Sequence, residues 1–437
     1  PKERVAKVAP YLTLDGRVYP AVVDGRVKWI VDGYTTSDAY PYSQMTDLGS
    51  ATKDSTTVSS ATVSSLGSQK ANYIRNSVKA TVDAYDGSVD LYVWDQSDPV
   101  IKAWEKIFPG QYHQLSDISG DLMSHMRYPE SLFKVQRELL SKYHVTSANQ
   151  YYSGEDFWQT PVDPTESQSH QDILQPPYYL TLQTGGTKEP VFSLSSTYIP
   201  AGQSTREILT GFLSVDSDAG NEKGKIGSNY GTIRLQELPK DSNVPGPGQA
   251  QNNFNANADV SKELNLLQSG DTQVVRGNLL TLPLGGGLVY VQPVYVKSSG
   301  ATSFPLLKKT LVAFGDQVGF ADTLDEALDQ VFGGDSGAAA GDAENVSGDG
   351  SSGDQSSGIS GDQSGSDTNG GQSGTTDGKS DSGSSSDRSP ELQQALNDAA
   401  QAMKDSQSAM KNGDWTAYGK AQKELEDALN KAIELDK

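Results

Sequence analysis

Residues 72–95 read NYIRNSVKATVDAYDGSVDLYVWD and contain two runs in which apolar and polar residues alternate. The first run ends at residue 84 and the second covers 89–94. Alternation with a period of two predicts β-strands with one buried face. Asp86-Gly87 lies between the runs, and Asp-Gly is typical of a type I′ turn, in which both central residues take positive φ. The segment therefore predicts an antiparallel hairpin closed by a tight turn at Asp86-Gly87.

Further strand and helix signals extend on both sides of this hairpin. Alternating residues flank Asp24-Gly25, and Asp15-Gly16 supplies a second pair of turn residues. Asp98-Pro99 and Pro129 predict helix starts. The second of these helices is expected to turn Leu132, Phe133, Leu139, Leu140 and Tyr143 inward. Further strands are predicted at 178–183, 191–198, 207–215, 231–235, 272–282, 288–296 and 310–314, and further helices at 258–268 and 324–332. This block-wise order predicts an α+β fold, mainly antiparallel sheet with packed helices.

Composition divides the 437 residues into three parts. Residues 1–332 form the predicted α+β body. Residues 333–389 are almost entirely Gly, Ser, Asp and other small polar residues, which cannot bury enough apolar surface to offset chain entropy. This acidic stretch is therefore predicted to be a disordered linker. Residues 390–437 carry two amphipathic patterns separated by Asn412-Gly413, which predict a helical hairpin.

Charge and residue usage exclude several classes of function. A net charge of −21 makes nucleic acid and anionic lipid unfavourable as non-specific partners of the whole chain. The absence of cysteine excludes disulfides, thiolate nucleophiles and cysteine-bound metals. The chain has no run of ~18 apolar residues that could span a bilayer. Its first residues include neither an initiator Met nor an apolar leader, so a piece of a longer protein is expected.

Catalytic motifs are not visible. The four histidines are scattered and show no metal-binding spacing, and no GxSxG elbow surrounds Ser195-Ser196. We therefore predict no catalytic histidine or cysteine chemistry. Paired carboxylates remain an open alternative, because the 56 acidic residues offer many pairs and no spacing selects one.

One acidic segment has the oxygen ligands that calcium prefers. Asp216, Asp218, Asn221 and Glu222 lie at short spacing, although the EF-hand frame is absent. A calcium loop and an ordinary solvated turn are both open interpretations. No other cofactor is predicted.

Two sets of residues are candidates for ligand binding. His125, Arg127 and Tyr128 precede a predicted helix, whose N-terminus attracts anions. The alternative interpretation has Arg127 paired with Glu130 or with another acidic residue of the body, and Tyr128 packed against the helix. The second set is Tyr34, Tyr40 and Tyr42, within a polar and irregular segment. Aromatic residues of this kind suit interfaces and sugar faces, but they also serve as core or loop anchors.

Several blocks of the sequence resemble one protein family. They are DGRVKWIVDGYTTSDAYPYSQ at 24–44, the segment at 72–110, HMRYPESLFKVQ at 125–136, QPPYYLTLQ at 175–183, FSLSSTYIP at 192–200 and GDWTAYGKAQKELEDAL at 413–429. These blocks resemble the uncharacterised 0182 membrane-protein family of actinobacteria and some other Gram-positive bacteria. Members of that family carry several transmembrane helices followed by a large extracytoplasmic domain. The resemblance implies that this chain is the extracytoplasmic part, located at the plasma membrane.

The function expected from these observations is binding or scaffolding in the cell envelope. The implied partners are the protein's own N-terminal transmembrane region and other envelope proteins or ligands. One alternative is an enzyme that acts on envelope glycan or lipid. Another is a sensor or inhibitor, since the strand–DAYDGSV–strand unit faintly resembles PepSY-type modules. An enzyme is the less favoured of these interpretations.

Overall fold

The computed structural model describes residues 1–337 except 61, 167–172, 203–206, 240–242, 269, 285 and 299–303. Beyond residue 337 the described residues are Gln394, Gln401, Ala402, Lys404, Lys420, Lys423, Glu424 and Lys431, all of them helical. The chain divides into two compact units, Pro1–Ser352 and Gly353–Lys437. Most of the predicted linker and the predicted turn at Asn412-Gly413 lie outside the described residues, so the predicted domain boundaries stay a prediction.

The described residues confirm an α+β fold with mainly antiparallel sheets. The strands are β1 (Thr13–Val23), β2 (Arg26–Ser37), β3 (Thr46–Asp47), β4 (Lys70–Ala71), β5 (Tyr73–Asp83), β6 (Val89–Val93), β7 (Tyr112–His113), β8 (Trp158–Gln159), β9 (Tyr178–Leu182), β10 (Val191–Pro200), β11 (Gly211–Asp216), β12 (Ile233–Glu237), β13 (Thr272–Arg276), β14 (Leu280–Leu284), β15 (Gly287–Ser298), β16 (Leu306–Phe314) and β17 (Gln317–Ala321). The helices are α1 (Lys2–Val8), α2 (Leu48–Ala51), α3 (Ser55–Ser59), α4 (Pro99–Ile107), α5 (Gly120–Ser124), α6 (Glu130–Tyr143), α7 (Ala148–Ser153), α8 (Pro247–Ala256), α9 (Ala258–Leu267) and α10 (Leu324–Phe332). No described helix is long and apolar enough to cross a membrane.

The first sheet has the order β1-β2-β5-β6-β7 and contains both predicted hairpins. Asp24 and Gly25 have φ values of 50° and 75°, as a two-residue turn between β1 and β2 requires. The predicted type I′ turn at Asp86-Gly87 is wrong. Such a turn needs positive φ at both residues, and only Gly87 has one, at 74°. Residues 84–87 form a four-residue loop instead, closed by a hydrogen bond from the Asp83 amide to the Ser88 carbonyl oxygen. The Asp83 carboxylate accepts a hydrogen bond of 2.8 Å from the Tyr85 amide, and this side-chain cap favours the wider loop.

Asp15-Gly16 is not a turn, as the dipeptide suggested, but lies inside β1. The register of β1 on β2 shifts between Leu14 and Val18, which marks a bulge. A Cβ at Gly16 would lie 1.6 Å from the carbonyl oxygen of Ser64, so only glycine allows this close approach. The bulge directs the Asp15 carboxylate into the interior, where its side chain is buried.

Helix α6 lies between the first sheet and the second. It follows Pro129, as predicted, and its Leu132 and Phe133 join a core cluster with Tyr34 of β2 and Leu194 of β10. The prediction that Tyr143 turns inward is wrong, because its side chain is exposed. The helix is covered on more than one side, so it buries charged residues as well as the predicted apolar stripe.

The second sheet is built around β10, which pairs with β11 on one side and with β9 and β8 on the other. Ser195 and Ser196 belong to this strand, as predicted. The third sheet has the order β13-β15-β16-β17, with β14 also paired to β15. The single strand predicted at 272–282 is two strands, interrupted at Gly277, whose amide donates to the Pro293 carbonyl.

Helices cover both faces of the third sheet. Phe254 of α8 and Val260 of α9 pack on one face, and Ala327 of α10 packs on the other. Helices α9 and α10 match the predicted segments, whereas α8 was not predicted. Its sequence, PGQAQNNFNA, has few apolar residues and therefore little periodicity.

Candidate functional site

The segment at 125–129, here called the strap, joins α5 to α6 and is held by hydrogen bonds to its backbone. Three tyrosine hydroxyls donate to its carbonyl oxygens, namely Tyr19 to His125 at 3.2 Å, Tyr230 to Arg127 at 3.1 Å and Tyr179 to Tyr128 at 2.5 Å. Burial raises the pKa of all three tyrosines, so their hydroxyls stay protonated and donate. The strap is therefore fixed from both sheets.

A buried lysine adds a fourth donor. Lys79 Nζ lies 2.7 Å from the Arg127 carbonyl oxygen and 2.5 Å from Asp32 Oδ1. The ammonium group also lies 5.0 Å from the centroid of the Trp94 ring. Burial lowers the pKa of Lys79, and the Asp32 carboxylate opposes that shift. Because both charges are buried, each depends on the other for its stability.

Arg127 does not pair with Glu130, which corrects one of the alternatives drawn from the sequence. Its guanidinium lies between two aromatic rings, 3.8 Å from the centroid of Tyr19 and 4.4 Å from that of Tyr179. The Glu130 carboxylate instead contacts Lys134 at 2.7 Å and the Arg17 side chain. A planar cation stacked in this way acts as part of the packing.

The start of α6 already has an anionic partner from the same chain. The backbone amide of Ser131 donates to Asp15 Oδ2 at 3.1 Å. The Asp15 carboxylate also accepts from the Tyr34 hydroxyl. The anion at this helix N-terminus is the protein's own Asp15 carboxylate, supplied from the bulge in β1.

A groove of about 420 Å³ opens beside the strap. Aromatic rings form part of its lining, with the Trp94 and Tyr230 centroids 5.4 Å apart and those of Tyr128 and Tyr230 5.7 Å apart. The Arg75–Asp95 ion pair, at 2.9 Å, and Gln136, which accepts from the Tyr128 hydroxyl at 2.8 Å, add polar groups. Such a mixture of apolar walls and a few polar groups is typical of small-ligand sites.

Asn76 is a buried polar residue in the lining of this groove. Its Nδ2 lies 3.3 Å from the Gly33 carbonyl oxygen and 3.4 Å from that of Val78, which fixes the orientation of the amide. Its Oδ1 has no hydrogen-bond donor within the described part of the chain. Asn76 lies where the register of β5 on β2 is irregular, so the bulge places it there.

The other tyrosine candidates do not line the groove. Tyr34 is fully buried in the core, which corrects its assignment as a ligand-binding residue. Tyr40 is 55% exposed and stacks on Tyr73 with 5.8 Å between centroids. Tyr42 is fully exposed and has a positive φ of 55°. Tyr40 and Tyr42 therefore stay surface candidates.

The acidic segment considered for calcium is not gathered into one site. Asp216 is buried against Arg234, and Asp218 accepts a hydrogen bond of 2.8 Å from the Gly220 amide. Glu222, four residues after Asp218, pairs with Lys225 at 2.8 Å. Asn221 has its backbone carbonyl packed close to Gly120. In the described part of the chain, no three His, Cys, Asp or Glu side chains are grouped to hold a metal ion, and calcium binding stays a prediction.

The histidines within the described residues contact either backbone carbonyl oxygens or aspartate carboxylates. Both ring nitrogens of His144 lie near backbone carbonyl oxygens, at 2.8 and 3.0 Å, and its ring stacks on Trp158. His113 and His125 lie near aspartate carboxylates, at 3.5 and 4.0 Å. Ser196 Oγ accepts from Arg137 at 3.0 Å. Both ring nitrogens of His144 are therefore occupied by backbone groups, and His170 lies outside the described residues.

The profile of an uncharacterised protein family, UPF0182, matches residues 1–267. The chain belongs to the UPF0182 family. UPF0182 proteins of Bifidobacterium longum, Bifidobacterium adolescentis and Paenarthrobacter aurescens are 96%, 85% and 55% identical to it, over 99–100% of this chain. The chain spans about 40% of the length of these UPF0182 relatives. No solved structure matches it. The matched residues of the UPF0182 profile include the strap and the groove but not the third sheet.

Sequence reasoning selected Tyr128 but missed most of the groove and its supports. Lys79 gave a usable signal, since a lysine interrupts an otherwise uncharged part of a strand between Val78 and Ala80. Trp94 and Asn76 gave no such signal. Trp94 is the last residue of the alternating run at 89–94, and Asn76 precedes the alternating residues that begin at Val78. Their positions follow from the bulge and from the approach of α6.

Proposed function

We propose that this chain is the extracytoplasmic part of a membrane-anchored cell-envelope protein and that it binds a ligand in the groove beside the strap. The resemblance to a family with an N-terminal multi-pass region supports the location. The share of its relatives that the chain spans, about 40%, leaves ample length for such a region. That transmembrane region is then the chain's partner in the same protein.

The observation that carries the binding role is the groove with its fixed lining. Its volume of about 420 Å³ lies in the range of small-ligand sites. Tyr128 is held by Gln136 at its hydroxyl and by Tyr179 at its carbonyl. A lining that is ordered before binding reduces the entropy lost when a ligand enters.

Binding without turnover fits the polar groups of this groove better than catalysis. The charged residues in its lining are Arg75 and Asp95, which already pair with each other. A carboxylate whose oxygen already contacts a guanidinium is less available to take a proton from a substrate. Asn76 and Gln136 can orient a ligand through hydrogen bonds but do not transfer protons.

The test combines binding with turnover on the 437-residue chain. Soluble muramyl glycan fragments, ester substrates and peptides are incubated at micromolar protein, and Trp fluorescence is followed during titration. We expect saturable binding of the glycan fragments and no product. Replacing Gln136 by Ala should weaken binding about tenfold, as expected for the loss of one or two ligand hydrogen bonds, while the exposed Gln317→Ala serves as the matched control.

The same assay separates binding from the enzymatic alternative. Each histidine is changed singly to Gln, and the fold is checked by circular dichroism. Turnover that one of these substitutions abolishes, in a folded protein, would refute the binding role. Equal binding by the Gln136→Ala variant and the unmodified chain would remove the groove as the site.

A further inference from the structure

Helices α1 and α4 cover the same face of the first sheet. Val5 and Ala9, in and just after α1, and Ile101 from α4 pack into one cluster with residues of β2, β5 and β6. The outward sides of both helices therefore belong to the same side of this sheet. The groove has other lining residues, so this surface is separate from the ligand-binding site proposed above.

Exposed apolar side chains, namely Val8, Ile107 and Phe108, lie where the two helices end. Together with the half-buried Tyr11 and Trp104 they form a surface here called the α1–α4 end. Val8, Ile107 and Phe108 are 39%, 58% and 40% exposed. Tyr11 stacks on Trp104 with 4.0 Å between centroids and on Phe108 with 5.5 Å. The Gln111 side chain donates to the Val8 carbonyl at 2.8 Å, which joins the two helix ends.

The charge of these helices differs in sign from that of the whole chain. Helices α1 and α4 carry five basic and two acidic side chains, while the chain has a net charge of −21. Lys7, Lys102 and Lys106 are exposed beside the apolar residues along the two helices. At physiological salt the Debye length is about 8 Å, so more distant acidic residues are largely screened from this surface.

We propose that the α1–α4 end docks onto the surface of an anionic lipid bilayer. Val8, Ile107 and Phe108 enter the headgroup region, the Tyr11–Trp104 stack lies at the interface, and the lysines contact lipid phosphates. Partly exposed aromatic rings next to exposed lysines are the combination favoured at the boundary between water and lipid. Interfacial binding grows with the buried apolar area and with attraction to anionic headgroups, and this surface supplies both.

The small apolar area favours a bilayer over a protein partner. Stable protein interfaces bury about 800 Å² on each side and have a large apolar centre. Three partly exposed apolar side chains at the edge of two helices provide much less. The charge contrast also disfavours a second copy of this chain, since two basic surfaces would face each other in a symmetric dimer.

The experiment uses the 437-residue chain in vesicle flotation. Vesicles of phosphatidylcholine alone are compared with vesicles containing one quarter phosphatidylglycerol, at low and at high salt. We expect binding to the anionic vesicles that weakens with salt. The Ile107→Ser/Phe108→Ser variant should bind at least about tenfold less, because transfer of these two side chains is lost. The Lys102→Glu/Lys106→Glu variant should lose the preference for anionic vesicles, and it alters no core residue.

A matched control distinguishes this surface from general hydrophobic adsorption. Leu266 and Leu284 are 64% and 51% exposed and lie outside α1 and α4, so the Leu266→Ser/Leu284→Ser variant should bind like the unmodified chain. Equal losses in the control and test variants would overturn the proposal, as would the absence of binding to the anionic vesicles. Self-association that disappears in the Ile107→Ser/Phe108→Ser variant, without vesicle binding, would assign the surface to a second copy instead.

Discussion

The region around α6 and the third sheet both bury an apolar cluster, but they differ in the polar side chains buried with it. Around α6 the buried side chains include Lys79, Asp32, Lys134 and Arg137. The described residues of β13–β17 and α10 bury polar side chains such as Gln292, but no charged ones. Both regions also have apolar clusters with fully buried residues. The difference lies in the charges.

The contrast indicates where the chain tolerates an energetic cost. Removing an ion from water costs several kcal/mol, and a buried partner offsets this only when the geometry is good. Apolar residues would have filled the same volume without that cost. The charges around α6 fix the strap and the start of the helix, and the groove lies beside them. In the described residues of the third sheet, which do not support the groove, the core is packed without buried charges.

The largest expected effect comes from Lys79. The Lys79→Ala variant leaves Asp32 buried without its partner and removes a hydrogen bond to the strap. The free energy of unfolding should therefore fall by about 3–5 kcal/mol. Lys309 in the third sheet pairs with Glu263 and Asp322 near the surface. Its replacement by Ala should cost less than about 1 kcal/mol. Urea unfolding followed by Trp fluorescence measures both, and equal costs would remove the contrast between the regions.

Two leucines test whether the regions unfold together. Leu194 and Leu311 are both fully buried, one in each region. Changing either to Ala should destabilise its own cluster by about 2–5 kcal/mol through lost burial and a cavity. Calorimetry should show one shifted transition if the regions are coupled. Two separate transitions, each sensitive to one substitution, would show that the third sheet is an independent folding unit.

Two turn glycines should respond alike despite the different cores beneath them. Gly87 and Gly315 have φ values of 74° and 57°. Valine is strained at positive φ, so Gly87→Val and Gly315→Val should each destabilise by about 1–3 kcal/mol. A Cβ at Gly87 would also meet the Arg4 side chain, whereas the space around Gly315 is open. Asparagine tolerates positive φ better and serves as the control at both positions. An unchanged melting midpoint for Gly87→Val would contradict the assigned loop.

The smallest expected effect is a pH dependence at the edge of the first sheet. Hydrogen bonds from Arg26 lower the pKa of Asp83 to about 2. Because the pKa is lowered on folding, the pair stabilises the protein above the ordinary aspartate pKa, and this contribution disappears as pH falls through about 2. The melting midpoints of the unmodified chain and the Arg26→Gln variant should therefore differ at pH 6 and converge near pH 2. A difference that persists at low pH would point to packing of the Arg26 stem.

Local patterns predicted most of the elements because they depend on neighbours in sequence. The strands of the two N-terminal hairpins and the helix starts at Asp98-Pro99 and Pro129 were predicted correctly. Turn types were less predictable. Asp-Gly occurs four times in the first sheet region. It forms a two-residue turn at Asp24-Gly25, a bulge at Asp15-Gly16 and part of a four-residue loop at Asp86-Gly87, and Asp32-Gly33 lies within β2. The surrounding backbone and side-chain caps decide among these outcomes.

The candidate groove was only partly predictable for the same reason. Tyr128 was selected because it precedes a helix, but its groove also needs Trp94 from the end of β6 and Tyr230 from the loop before β12. These residues are 34 and 102 positions away from Tyr128 in the sequence. No local pattern connects them, because their proximity is produced by the packing of α6 between two sheets.

The sequence alone determined the α+β class and membership of a family, since both rest on residue patterns that are read locally. It also determined the acidic charge and the lack of cysteine chemistry, which follow from composition. Only the tertiary structure decided that Asp15 occupies the start of α6, that Arg127 stacks between two tyrosines and that Tyr34 is core. Each of these assignments depends on which distant groups become neighbours, because burial and pairing set the energy of a charge more strongly than its place in the chain.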